Sequence, residues 1–450
     1  IDNSNIEIKS NVVIIEGLEH FTTFVIVTDD DATYSGTWID YPTQGYYDDG
    51  VHYPTTLSAS QTATWTFSTI DTDKYNVYVS WSTHSNRTSS APYTLTYSGG
   101  TTTFTIEQEL LADQLTTGGD GQWSGWYKIG TFDLNSGSNL VLSSVDNSSG
   151  SDYVIADEVL LVPNTAPEKV WVDDNYTINS RNDGHVWEYD AFNNIQDGIN
   201  AVKDGGTVYV ATGTYEGFKI AGRTNVTILG ADLTNTVIQP TTLISSEIAH
   251  KYTSNMTTSV LVNNSKNITI KNLTIKSNNS TPGSGGPDTI VFWNASSGTI
   301  IDSNITGTYT IGGSQTGQGI ALDASGNNSA DLTINNVSIS GFQKNGIDAV
   351  NGNGATSGST GTIKLSVLGG SITGAGATST IAQNGILVWN RDGSSVIGTV
   401  DGTTIKDFVY SPKKTSAGIL AYEGGSVPTV KNASFSNCDY YLATGSQVMD

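Results

Sequence analysis

Gly418-Ile-Leu-Ala-Tyr422 repeats Gly385-Ile-Leu-Val-Trp389, which repeats Gly346-Ile-Asp-Ala-Val350 and Gly319-Ile-Ala-Leu322. Two earlier runs of the same kind begin at Ser259 (Ser-Val-Leu-Val) and Thr289 (Thr-Ile-Val-Phe-Trp). The starts are offset by 30, 30, 27, 39 and 33 residues. Self-similarity at such a period is the mark of a solenoid, in which each repeat buries its apolar side chains only against its neighbours. Second runs follow within each repeat, at Leu273 to Ile275, Ile300-Ile301, Leu332 to Ile334 and Ile363 to Leu365. Turn residues Asn272, Asn304, Asn335, Gly369 and Gly370 stand between runs, where stacked amides can ladder from coil to coil.

Upstream, Phe192, Ile195, Ile199 and Val202 fall three and four apart and predict a helical stripe over 191–202. Gly205 to Tyr215 then reads as strand and turn. This helix-then-strand entry resembles the N-terminal cap of a right-handed parallel β-helix of the pectin-lyase-like type. A cap is needed physically, because a solenoid otherwise exposes an apolar end and an unpaired ladder.

Between Asp29 and Pro163 the style differs. Short alternating runs, such as Ala63 to Phe67, Tyr75 to Trp81 and Tyr93 to Tyr97, are separated by Gly, Ser, Asn and Asp turns. That spacing predicts an antiparallel β-sandwich. Asp29-Asp30-Asp31 to Trp38, Gly45-Tyr46-Tyr47, Tyr75 to Trp81, Asn86-Arg87-Thr88, Trp126 to Gly130 and Tyr153 to Val159 come in order. Together they resemble the C-terminal module of golvesin and xanthan-lyase-type proteins. The resemblance implies a carbohydrate-binding or structural accessory. The expected fold is therefore all-β: an N-terminal strand segment over 1–28, a sandwich over 29–163, a linker over 164–168 and a β-helix over 169–450.

The balance of 20 basic against 43 acidic residues leaves a net charge of −23, which repels phosphate and excludes a nucleic-acid binder. No stretch reaches the ~18 apolar residues of a membrane span. The single cysteine, Cys438, excludes an intrachain disulfide and a Cys-based metal cluster. The chain starts at Ile1 without Met, which reads as a mature, processed product. Fifteen Asn-x-Ser/Thr sequons stand at Asn86, Asn147, Asn175, Asn225, Asn255, Asn263, Asn267, Asn272, Asn278, Asn279, Asn294, Asn304, Asn327, Asn336 and Asn432. Glycosylation and plain richness in Asn, Ser and Thr both account for them. The expected location is extracellular or cell-surface.

Carboxylate clusters are what polysaccharide-cleaving β-helices need, since one acid must stay protonated while another activates water. The paired acids here precede the coils, and no histidine follows His250. One constellation stands out: Asp323, Asp348 and Arg391 follow strand starts at Gly319, Gly346 and Gly385, so they can share a face of successive coils. Solvated residues at strand ends are the simpler reading. Asp29, Asp30 and Asp31, with Asp173 and Asp174, are oxygen-rich enough for calcium, though the spacing is not that of an EF-hand; no other cofactor is implied. Trp293 and Trp389 occupy matching places in their coils and read as a stacked structural pair. Ile6, Ile8, Val12, Ile14, Phe24 and Ile26 lie in apolar strands that can pair with another copy. The leading expectation is a non-enzymatic, self-associating surface protein, a homo-oligomer or polymer in contact with polysaccharide. The alternatives are a secreted polysaccharide lyase or hydrolase with an accessory binding domain, and a glycan-binding module alone.

Overall fold

The computed structural model describes residues 6–9, 12–15, 25–42, 50–55, 61–68, 70–110, 126–144, 152–177, 182–245, 249–250, 253–254, 257–278, 287–309, 316–324, 328–351, 361–390 and 395–445. Two compact units divide the chain, one comprising 1–166 and 177–189, the other 167–176 and 190–450.

The first unit is an antiparallel sandwich. One sheet runs Gly100–Ile106, Ala91–Tyr97, Asn139–Ser143, Thr62–Thr66 and Thr33–Ser35; the other runs Tyr127–Leu134, Asp73–Val79, Val159–Pro163 and Val25–Val27. Alternate residues Ala63 and Trp65, Tyr93 and Leu95, and Leu140 and Leu142 turn inward and are at most 1% exposed. The sandwich starts four residues before its expected boundary, because Val25–Val27 pairs with Val159, Leu160 and Leu161. Ile26 is thereby corrected as an assembly residue: it is buried against Trp126, Leu160, Val162 and Tyr189. Ile6–Lys9 and Val12–Ile15 form an antiparallel hairpin with each other. Phe24 lies outside the described residues.

The second unit is a parallel β-helix of three sheets. The expected repeat holds: Val260, Ile290, Ile320, Ile347, Ile386 and Ile419 are in register, at the offsets read from the sequence. Each coil, however, has three strands and not two. The second sheet is built of pieces as short as Thr274–Lys276, Asn304–Thr306 and Ser338–Ser340. Ile238, Ile275, Ile305, Ile339, Ile372 and Ile405 stack inside it, one per coil. The corner leading into it carries a left-handed residue, Asn272, Asp302, Asn336, Gly369, Gly402 or Asn432, at φ between 47° and 68°, with Gly370 left-handed beside Gly369. Asn, Asp and Gly are the residues that accept that conformation at least cost. These residues, and not Asn304 or Asn335, form the corner column; Gly370 shares the corner with Gly369.

Glycines 319, 346, 385 and 418 form a second column for a different reason. A Cβ on Gly346 would stand 2.5 Å from Ile372 Cγ2 and 2.6 Å from the Gly385 carbonyl, and the other three face similar crowding. Just before them runs a buried polar ladder. Asp288 Oδ1 accepts from Gln318 N (2.7 Å), Gln318 Oε1 from Asn345 N (2.9 Å), and Asn345 Oδ1 from Asn384 Nδ2 (3.0 Å). The backbone N–H groups of Gln318 and Asn345 and the side-chain amide of Asn384 are thus each satisfied by the coil before, as burial requires.

The cap is the helix Ile195–Ala201, N-capped by Asn194, whose side chain accepts from Asp197 N at 2.9 Å. All four residues of the predicted stripe are buried in the solenoid core, but the helix is shorter than 191–202: Phe192 belongs to the strand Ala191–Phe192 and Val202 is the extended C-cap. The helix lies so close that a Cβ on Gly198 would be 2.9 Å from Val172 Cγ2. Arg223 ties its C-terminal carbonyls, Ile199 O and Val202 O, and pairs with Asp204 at 2.8 Å.

Candidate functional site

On the third sheet, Ile290 and Phe292, Ile320 and Leu322, Ile347 and Ala349, and Ile386 and Val388 point into the core. Strand alternation therefore sends Val291, Trp293, Ala321, Asp323, Asp348, Val350, Leu387 and Trp389 to the outer face. Parallel register sorts these into two rows. One holds Leu261, Val291, Ala321, Asp348, Leu387 and Leu420; the other holds Asn263, Trp293, Asp323, Val350, Trp389 and Tyr422. Asp323 and Asp348 share the face, as expected, but not a row. They sit diagonally on adjacent parallel strands, Asp323 opposite Val350 and Asp348 opposite Ala321. Arg391, the third member, lies outside the described residues.

The two carboxylates are not the solvated strand-end residues of the simpler reading: Asp323 is 6% exposed and Asp348 3%. Apolar neighbours surround them. Trp293 packs with Leu261, Val291 and Ala321, and Trp389 with Val350, Leu387, Leu420 and Tyr422. Trp293 and Trp389 do not stack on each other, because Asp323 and Val350 occupy the two rungs between them. Trp389 instead meets Tyr422 edge to face, with centroids 5.1 Å apart.

A third ionisable group was not found from sequence. Lys344, four residues before Asp348, is 3% exposed, and its Nζ donates to Ala382 O at 2.7 Å. Burial pulls its pKa down to about 8, with the Asp348 charge opposing. A lysine at that value exchanges a proton near neutral pH, as a general acid or base must. Only its place in Gly341-Phe-Gln-Lys-Asn345, a corner among buried repeats, hints at it in the sequence.

The acidic cluster at the sandwich entry has a composition different from that expected. Asp29 is fully buried; its Oδ2 lies 2.7 Å from His52 Nδ1, and its Oδ1 accepts from Asp30 N at 3.1 Å. Asp29, Asp30 and His52 hold their ligand atoms within 4.8 Å of one another, whereas Asp31 accepts from Thr28 Oγ1 at 3.3 Å. An imidazole in the set departs from the all-oxygen coordination of calcium. Burial acts to lower the His52 pKa, but the hydrogen bond to Asp29 and the charges of Asp29, Asp40 and Asp30 outweigh it and hold it above 6.5. Asp173 and Asp174 make local contacts: Asp173 Oδ1 accepts from Asn175 N and Nδ2 (2.9 and 3.0 Å), and Asp174 Oδ1 from Asn175 Nδ2 (3.3 Å). Among the described residues, no group of potential metal ligands other than Asp29, Asp30 and His52 is found.

The sequons acquire a structural meaning. Asn225, Asn267, Asn272, Asn294, Asn336 and Asn432 are all left-handed. In Asn225-Val-Thr, Asn267-Ile-Thr, Asn272-Leu-Thr and Asn336-Val-Ser, the middle residue is buried in the core. The third starts the outer face of the next strand. The pattern is therefore a corner code. The Asn amides ladder from coil to coil: Asn267 Nδ2 donates to Asn225 Oδ1, Asn336 Nδ2 to Asp302 Oδ1 and Asn432 Nδ2 to Asp401 Oδ1, each at 2.9 Å. Asn147, Asn255, Asn279 and Asn327 lie outside the described residues.

Residues 25–163 match the family model of the Golvesin C-terminal domain. Among solved structures, this chain is similar to a Paenibacillus xanthan lyase, at 31% identity over 32% of this chain and 13% of that one, TM-score 0.27. It is also similar to a pectin methylesterase from Yersinia enterocolitica, at 12% identity over 52% of this chain and 88% of that one, TM-score 0.30. A third likeness is to the Agl-KA catalytic domain, at 13% identity over 94% and 97% of the two chains, TM-score 0.23. At such scores the overlays are partial. No curated protein matches the chain. The chain thus joins a golvesin-type sandwich to a parallel β-helix. Among the described residues, no helix is long and apolar enough to cross a membrane.

Proposed function

We propose that this chain is an extracellular, polysaccharide-directed protein whose solenoid works on glycosidic linkages through acid–base chemistry at Asp323 and Asp348, with the sandwich as its binding accessory. The observation that carries this is the pair of carboxylates on adjacent rungs of one outer face, bracketed by Trp293 and Trp389. Two carboxyl groups on one face of adjacent strands can serve a single glycosidic bond as acid and base. Lys344 stands near Asp348 as a further proton carrier. The golvesin-type domain supports the extracellular setting and the carbohydrate class of target.

The test is to incubate the chain with polygalacturonate, alginate, xanthan and α-1,3-glucan, with and without calcium, and to follow reducing ends and unsaturated products. Turnover should fall at least ~100-fold in Asp323→Asn and Asp348→Asn. No product on any polymer, or full activity in both variants, removes the proposal. The depth of burial of both carboxylates favours a second reading, in which the solenoid is a rigid scaffold and binding belongs to the sandwich alone. Polymer binding without turnover would establish it. Self-association through the hairpin of residues 6–15, central to the surface-protein expectation, remains a proposal for native assembly to decide.

A further inference from the structure

The sandwich carries a cavity of about 340 Å³ whose lining is out of keeping with an acidic chain. Among the described residues, Tyr41, Val51, Tyr53, His84, Asn86, Arg87 and Tyr153 line it, and none of them is a carboxylate. The site is built by backbone pairing: Tyr153 N donates to Asn86 O and Thr88 N to Tyr153 O (both 2.9 Å), which fixes Arg87 beside Tyr153. Trp38–Tyr41 pairs with Val51–Pro54, which sets Tyr41 opposite Val51 at the pocket.

Arg87 is only half exposed to solvent, and burial pulls its pKa below the usual guanidinium value. Its Nε donates to Ser82 O (3.2 Å), Nη1 to Asn86 Oδ1 (2.7 Å) and Nη2 to Ser82 Oγ (3.5 Å). A guanidinium has five N–H donors in a planar fork, so two are left, and no Asp or Glu of the described residues pairs with it. In a chain of net charge −23, a partly desolvated cation with no acid partner among the described residues suits an anionic ligand. Beside it, Tyr53 and Tyr153 meet edge to face with centroids 5.5 Å apart, and Tyr41 is 44% exposed. Rings with an apolar face and a polar tip suit a sugar ring, which offers C–H groups to the face and hydroxyls to the rim.

We infer that this pocket binds a carboxylate-bearing sugar, a uronic acid unit of a polysaccharide, with Arg87 clamping the carboxylate and the Tyr41, Tyr53 and Tyr153 rings flanking the ring of the sugar. The site stands on the sandwich alone and does not depend on chemistry at Asp323 and Asp348. A planar carboxylate matches the guanidinium fork, and Asn86 and His84, held together at 2.8 Å, add polar contacts at the rim.

The test is calorimetric titration of the full chain with oligogalacturonate and oligoglucuronate, against cellotriose, acetate and inorganic phosphate. The uronate oligomers should bind at least about ten-fold more tightly than any of the three controls. Arg87→Gln and Tyr153→Ala should each weaken uronate binding by about ten-fold or more, with circular dichroism unchanged. Should Arg87→Gln unfold, Arg87→Lys keeps the charge without the fork and should still weaken binding. Cellotriose, acetate or phosphate binding as tightly as the uronates, or unaltered uronate binding in folded Arg87 and Tyr153 variants, overturns the inference.

Discussion

Lys344→Met tests whether the third sheet really holds an ammonium group at an energetic cost. The lysine is 3% exposed, and its pKa is pushed from 10.5 to about 8 by burial. At about 1.4 kcal/mol per tenfold, that difference corresponds to about 3 kcal/mol against the charged folded form. The sign follows from proton counting. Below about pH 8 both folded and unfolded chains carry the proton, and the whole penalty is present. Between about 8 and 10.5 the unfolded chain keeps a proton that the folded one has released, so stability rises with pH; above 10.5 the penalty is gone. Met fills the space with no titrating group. It leaves Ala382 O without its partner, an offset that does not change with pH. The stability of the variant relative to the parent should therefore fall by about 3 kcal/mol between pH 7 and 10.5. Since the chain has two compact units, the comparison is best read locally, from the amide exchange of Asn345–Asn351. A difference that stays flat across that range would refute the reasoning, because it would mean that Lys344 is not desolvated in the fold.

Gly346→Ala should destabilise the solenoid by about 1–3 kcal/mol, because one of the atoms its Cβ meets is the Gly385 carbonyl, which cannot rotate away; a urea midpoint unchanged from the parent would contradict the column. Asn272→Ala should cost about 1–2 kcal/mol for the left-handed corner on top of the lost bond from Asn272 Nδ2 to Gly230 O (2.8 Å), while Asn272→Gly should lose only the bond. Thermal melts of the pair would separate the two effects. His52 is held above 6.5 by Asp29, so its contribution to the sandwich is complete below pH 6.5 and is lost as pH rises through the folded value. His52→Gln should accordingly narrow the gap between denaturation midpoints at pH 6 and pH 8, and an equal gap in parent and variant would rule this out.

Much of this architecture was legible because a solenoid writes its neighbours into its period. Strands one coil apart in space are one repeat apart in sequence, so Ile290, Ile320 and Ile347 announced their stacking by spacing alone. The existence of the capping helix was legible from the spacing of Ile195 and Ile199, but its bounds were not, since Phe192 is in a strand and Val202 in the extended cap. The short second sheet was not legible. Three-residue strands behind a tight corner carry too few positions for alternation to show, so Ile275 was grouped with Ile300 although they belong to different sheets. The candidate site was half legible. Asp323 and Asp348 were placed on one face, but Lys344 was missed, because a lysine in a Gly and Asn-rich turn reads as solvated until its turn is known to be buried. The arginine pocket is equally hidden, because Tyr41, Arg87 and Tyr153 lie far apart in sequence and meet only through strand pairing.

Composition and period alone determined an acidic, all-β chain with a sandwich before a capped β-helix, because alternation, turn residues and repeat length are local properties of the chain. Tertiary structure decided what each charge experiences. Burial and partners come from residues far away in sequence, so only the fold shows that Asp323, Asp348 and Lys344 lie out of water, that Asp29 is already engaged by His52, and that Arg87 faces a cavity lined by tyrosines.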